Sequence, residues 1–147
     1  MKLGIFAKTF ATEPFRRARA CGYQAVQYNM ACAGLPPMPE EIPEDLLGTI
    51  RHDADAAGIE IAALSATYNM IHPDPAIRRK GLERLRILAA AAPRLGAPLL
   101  TLCTGTLDPD DQWRRHPGND GAPAWRTLCE NMAAALAIAE EHGVDLG

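Results

Sequence analysis

Two stretches of this sequence concentrate side chains able to act on a polar substrate. The first is Tyr68-Asn69-Met70-Ile71-His72-Pro73-Asp74. Asn69 carries an amide that both donates and accepts, which suits a sugar hydroxyl. His72 suits a metal ligand, a proton shuttle or a hydrogen bond to substrate. A structural reading competes: Asp74 caps a helix and His72 packs in the turn before it. The second stretch runs from Thr104-Gly105-Thr106 through Asp108-Pro109-Asp110 to Trp113-Arg114-Arg115-His116-Pro117. The hydroxyls of Thr104 and Thr106, the Trp113 indole, a basic pair and His116 on one loop suit a polyol or a phosphate, with Trp113 covering a sugar face. The alternative is a surface loop in which Trp113 plugs a gap and Arg114 and Arg115 face solvent. Lys8 and Asn29 end two strand-like runs and point to the same rim. A lysine so placed either touches substrate or extends its head to water.

Several chemistries have no signature here. The sequence contains no GxGxxG, Walker A, GxSxG or HExxH motif. His52 and His142 fall on helical stretches, and no carboxylate pair converges with a histidine on strand ends, so no metal site is assigned to this chain. The formal net charge is -3, without a long basic block, which argues against a nucleic-acid partner. Arg78-Arg79-Lys80 is broken by Gly81 and Glu83 and reads as the solvated face of a helix. Cys21, Cys32, Cys103 and Cys129 stand singly, without metal spacing, which favours reduced thiols and a cytoplasmic protein. Met1 to Phe6 runs directly into a strand-like segment too short for a signal sequence. No apolar run reaches the roughly 18 residues of a membrane span, so no membrane partner is expected.

The elements that must position these residues are punctuated by glycine. A helix-period stretch ends at Gly22, Gly58, Gly96 and Gly143, and a short apolar run follows each: Ala25 to Tyr28, Ile59 to Leu64, Leu99 to Cys103, and Val144 to Leu146. Glycine suits the left-handed residue that closes a helix. Repeated strand-helix units imply a parallel sheet with helical crossovers. One helix is expected over Glu44 to Ala57, with Leu47, Ile50, Ala54 and Ala57 inward. Another spans Asp74 to Leu95, burying Ile77, Leu85, Leu88, Ala92 and Leu95, with Pro93 kinking it or ending it early. A third runs from Pro123 to His142, with an apolar stripe of Trp125, Leu128, Cys129, Met132, Leu136 and Ala139. Thr12 is the expected cap of the first helix, which has Pro14 in its opening turn. The long connections Ala31 to Pro43 and Thr104 to Ala122 both follow strand ends, the side on which α/β folds place their sites.

Four strings in register carry a family resemblance: Gly4-Ile5-Phe6-Ala7-Lys8-Thr9-Phe10, Val26-Gln27-Tyr28-Asn29-Met30-Ala31-Cys32, Asn69-Met70-Ile71-His72-Pro73-Asp74 and Thr101-Leu102-Cys103-Thr104-Gly105-Thr106. Together they resemble the xylose-isomerase-like superfamily and, within it, the sugar phosphate isomerase/epimerase family. The resemblance implies an α/β fold of the (β/α)8 TIM-barrel type, here an incomplete barrel of about four βα units plus the start of strand five. It implies that residues 1–147 form one truncated domain, the N-terminal half of such a barrel. The family's metal ligands and catalytic glutamates come from later strands, so the catalytic residues are expected beyond Gly147 and the divalent metal belongs to the full-length protein. The substrate is a sugar or sugar phosphate, contacted from this chain by Lys8, Asn29, Asn69, His72, Thr104, Thr106, Trp113 and His116. Two alternatives stand beside this: a non-catalytic half-barrel that forms a homodimer through its exposed edges, and an abasic-site endonuclease-like protein, against which the net charge speaks.

Overall fold

The computed structural model describes residues 1–147, and all five strands lie parallel in one sheet, in the order β1-β2-β3-β4-β5. These are β1 (Gly4–Phe6), β2 (Ala25–Tyr28), β3 (Glu60–Ser65), β4 (Leu99–Thr101) and β5 (Asp145–Leu146). The crossovers are α1 (Pro14–Ala20), α2 (Glu44–Ala57), α3 (Pro75–Leu95) and α4 (Ala122–His142). Sequential neighbours paired in parallel through single helices make this an incomplete (β/α)8 barrel, with a helical layer outside and a concave sheet face inside.

The core lies between sheet and helices. Val26, Ile61, Leu64 and Leu100 from the strands meet Leu85, Leu88, Ala92 and Leu95 of α3, and all eight are fully buried. Ile61 and Leu64 are three apart yet share the helix side, because a bulge between Val26 and Gln27 in the β2–β3 pairing matches Val26 to Ile61 and Gln27 to Ala63. Left-handed glycines close α2, α3 and α4 at Gly58, Gly96 and Gly143, as the punctuation predicts.

Four details of the helices differ from the sequence expectation. Thr12 does not cap α1. The cap position is Glu13, with φ 48° and a side chain paired to Arg16, while Pro14 removes one N–H that a cap would satisfy. Pro93 does not end α3, which continues to Leu95; the proline sits exposed in the last turn, where it removes a single hydrogen bond. Ile77 is 47% exposed rather than buried. At 21 residues α3 is about 31 Å long, so its first turn overhangs the short strands. The stripe expected to be buried on α4 is split: Ala139 is buried and Leu128 and Met132 pack half-buried against the core, while its other three members face outward. Ala124, Asn131, Ala135, Ile138 and Ala139 are the buried positions, whereas Trp125 and Leu136 are 66% and 49% exposed and Cys129 is also exposed. Small alanines let α4 approach α3 closely, and the bulky residues are left on the flank where the chain supplies no neighbouring helix.

Candidate functional site

At the carboxyl ends of β1 to β4 the concave face of the sheet holds a cavity of about 350 Å³, lined by Phe6, Lys8, Gln27, Asn29, Ser65, Thr67, Thr101, Leu102 and Trp113. Strand alternation builds it. Val26 and Tyr28 are buried against the helices, and Gln27 and Asn29 take the opposite face. Gln27 Nε2 donates to Thr101 Oγ1 at 2.7 Å, reaching from β2 across β3 to β4. That bond orients both groups and leaves the Gln27 carbonyl oxygen and the Thr101 hydroxyl proton for a ligand. Asn29 Oδ1 accepts the N–H of Ala31 at 2.9 Å, which fixes its amide with Nδ2 left to donate. Lys8, in a tight turn at Ala7–Thr9, is the single charged side chain of the lining, and Trp113 closes one side while remaining 70% exposed.

Asn69 and His72 are occupied within the protein. Asn69 Oδ1 accepts from Thr106 N at 2.9 Å and Ile71 N at 3.3 Å, and Nδ2 donates to Thr106 O at 2.8 Å. The amide therefore clamps the loop after β4 to the segment after β3. Gly105 makes the approach feasible: its φ is +79°, and a Cβ there would lie 2.0 Å from Asn69 Oδ1. His72 Nδ1 accepts the N–H of Asp74 at 3.0 Å, so Nε2 carries the proton it shares with Pro109 O at 3.2 Å. Asp74 caps α3 by accepting from Ala76 N at 2.8 Å.

The loop after β4 is organised by its own polar groups. Thr106 is buried and its hydroxyl meets the Asn119 amide, with Nδ2 donating at 3.0 Å. His116 Nδ1 accepts from Gly118 N at 3.0 Å and caps the turn at Pro117–Asp120. Asp108 Oδ1 accepts from Asp111 N at 2.9 Å and Asp110 N at 3.0 Å, and Arg114 lies 3.1 Å from the same carboxylate. These N–H donors, with Arg114, hold the Asp108 carboxyl below the usual carboxylate range. Burial pushes the Cys103 thiol up, and its sulfur sits 3.2 Å from Tyr68 O.

The residues singled out from sequence thus divide. Lys8, Asn29 and Trp113 come together at the concave cavity. Asn69 and His72 line an adjoining groove of about 540 Å³ that shares Thr67 and Trp113 with it. Thr104 is exposed, while Thr106 and His116 brace the loop. Gln27, Ser65, Thr67 and Thr101 were not singled out, although a polar residue between apolar ones on a strand, as in Val26-Gln27-Tyr28 and Leu100-Thr101-Leu102, marks the opposite face.

The lining offers amides, hydroxyls and one ammonium, a donor set that does not fit a divalent cation. No group of three or more His, Cys, Asp or Glu side chains converges anywhere in the chain.

Residues 15–147 match the family model described as xylose isomerase-like TIM barrel. Solved structures share the fold at low identity. A D-psicose 3-epimerase with D-tagatose from Clostridium cellulolyticum H10 superposes with a TM-score of 0.73 and 17% identity, over 99% of this chain and 51% of that one. A xylose isomerase domain protein from Planctomyces limnophilus gives 0.68 and 15%, over 99% and 52%. A mannonate dehydratase from Streptococcus suis serotype2 gives 0.68 and 18%, over 100% and 51%. The chain spans about half the length of these structures. No curated protein matches it by sequence.

Proposed function

This chain belongs to the xylose isomerase-like TIM barrel family, and on that premise we propose that it forms the substrate-side half of a sugar or sugar-phosphate isomerase/epimerase. The observation that carries the reading is the concave cavity, where Gln27, Asn29, Ser65, Thr67 and Thr101 present uncharged donors and acceptors beside an indole. Such a lining recognises a polyol by hydrogen bonds to its hydroxyls and by an aromatic face against its C–H surface. The reaction class is removal of a proton next to a carbonyl and its return to another face or carbon. In this half, Lys8 meets an oxygen of the substrate that carries negative charge, and the Gln27–Thr101 pair sets the orientation of the chain of hydroxyls. The groups that move the proton, and any divalent cation, are assigned to residues outside this chain. A reduced, cytoplasmic setting suits the four free cysteines, and no helix is long and apolar enough to cross a membrane.

The test is a titration of the purified chain with D-fructose and D-fructose 6-phosphate, read by amide chemical shifts and by the fluorescence of a Trp125→Phe variant in which Trp113 is the sole tryptophan. Weak saturable binding is expected at Lys8, Gln27 and Thr101, lost several-fold in Gln27→Ala, with no epimerase turnover and no tight divalent-metal binding. Turnover by this chain alone would overturn the assignment of the chemistry elsewhere. Shifts absent from the cavity would overturn the site.

A second reading, a self-associating half-barrel without catalysis, is favoured by the exposed apolar face of α4 and by Phe6, 56% exposed on the concave side of β1.

A further inference from the structure

On the other side of β2 from the concave cavity, α1 and α2 enclose a cleft of about 550 Å³. It arises because α1 has only 7 residues and leaves one face of the 14-residue α2 partly uncovered. Its floor is apolar, with Phe15, Leu46 and Ile50. The volume falls in the usual range for small-molecule sites.

Two polar groups in this cleft lack protein partners. Tyr28 is 2% exposed and its ring stacks on Phe15, with centroids 5.2 Å apart and planes 8° apart. Its hydroxyl makes no hydrogen bond within the protein and is not sealed from solvent, so it is free to meet a ligand on the cleft wall. Burial, with smaller contributions from Cys32 and Asp53, pushes the phenol well above its ordinary range, so it stays neutral. Asp53, on α2, joins none of the neighbouring ion pairs, which link Glu13 to Arg16 and Asp55 to Arg51. Glu13 is therefore neutralised at the mouth, and the carboxylate of Asp53 remains as the uncompensated charge.

We infer that this cleft is a second binding site, built for a small amphipathic organic cation whose apolar body packs on Phe15, Leu46 and Ile50 and whose ammonium donates to Asp53 and Tyr28. The charge excludes an anion, and the apolar floor disfavours a fully hydrated metal ion. The site lies outside the concave cavity, so it stands or falls independently of the sugar reading.

The experiment titrates the ¹⁵N-labelled full chain with phenethylammonium chloride, and in parallel with 2-phenylethanol and 3-phenylpropionate, its neutral and anionic counterparts. Saturable shifts are expected at Phe15, Tyr28, Thr49 and Asp53, with the amine binding at least about tenfold more tightly than the alcohol, a gap of about 1.4 kcal/mol. Asp53→Asn should weaken the amine about tenfold and leave the alcohol unchanged; Asp53 is an exposed helix residue, so this variant keeps its fold. Tyr28→Phe should weaken the amine several-fold. Equal affinity for the three probes, shifts confined to the concave cavity, or no saturation at millimolar amine would overturn the proposal.

Discussion

Asn69 shows how a residue type can be legible while its task is not. The sequence marks it as a versatile amide near a strand end, but besides the nearby Ile71 N–H its partners are the backbone groups of Thr106, 37 residues away. Nothing local in the chain announces that pairing; it follows from β3 and β4 lying side by side. Asn69→Ala would leave the buried N–H and C=O of Thr106 without partners, so we expect a loss of about 1–3 kcal/mol in urea unfolding. Gly105→Ala should destabilise through the same contact, since a Cβ cannot share space with Asn69 Oδ1. Asp108 belongs to the same scale. Its folded carboxyl is held below the ordinary range, so the folded state binds fewer protons than the unfolded one as pH falls. Its contribution is fully present above the ordinary carboxylate pKa and is lost as pH falls through the depressed folded value. Thermal unfolding followed from neutral to strongly acidic pH should therefore show a shallower acid limb in Asp108→Asn, whose amide oxygen can still accept from Asp110 and Asp111. An unchanged acid limb would remove Asp108 from the account.

At the scale of elements, glycine punctuation and strand runs locate the sheet well, because both are local: a left-handed closing residue and a short apolar run need no distant partner to be recognised. Helix faces are harder. On α4, apolar residues extend around much of the helix, and periodicity alone draws Trp125, Cys129 and Leu136 into the stripe, whereas the fold centres the buried face on Ala124, Ala135, Ile138 and Ala139, with Leu128 and Met132 at its border. Two truncations compare a core position on α3 with the outer flank of α4. Leu88, fully buried on α3, should lose about 2–5 kcal/mol on change to alanine, as for other core leucines. Leu136, 49% exposed on α4, should lose less than about 0.5 kcal/mol when the chain is dilute. Denaturant midpoints of the two variants check this directly, and a large effect at Leu136 would mean that its face is covered in solution.

Residues 1–147, taken by themselves, form an unclosed barrel with apolar surface to cover. The unpaired edges of β1 and β5 offer backbone groups to another chain, Phe6 on β1 and Leu3 just before it expose apolar surface, and Trp125, Leu128, Met132 and Leu136 form a groove on α4. Two ways of pairing copies follow, and the strand count weighs them. Closing a common barrel would bring two five-stranded sheets together, more strands than the eight of the closed fold, so β5 would have to leave β4. Packing α4 against α4 of a second copy requires no such rearrangement and buries the apolar groove outright. We therefore expect sedimentation velocity to show association that grows with concentration and is weakened by Trp125→Lys combined with Leu136→Lys, both exposed on α4, with little change in the midpoint of the dilute chain. Phe6→Lys should leave that association in place. The reverse pattern, dispersal by Phe6→Lys and indifference to the α4 changes, would mean that the sheet edges pair instead, and a chain that stays monomeric near millimolar concentration would remove self-association from the account altogether.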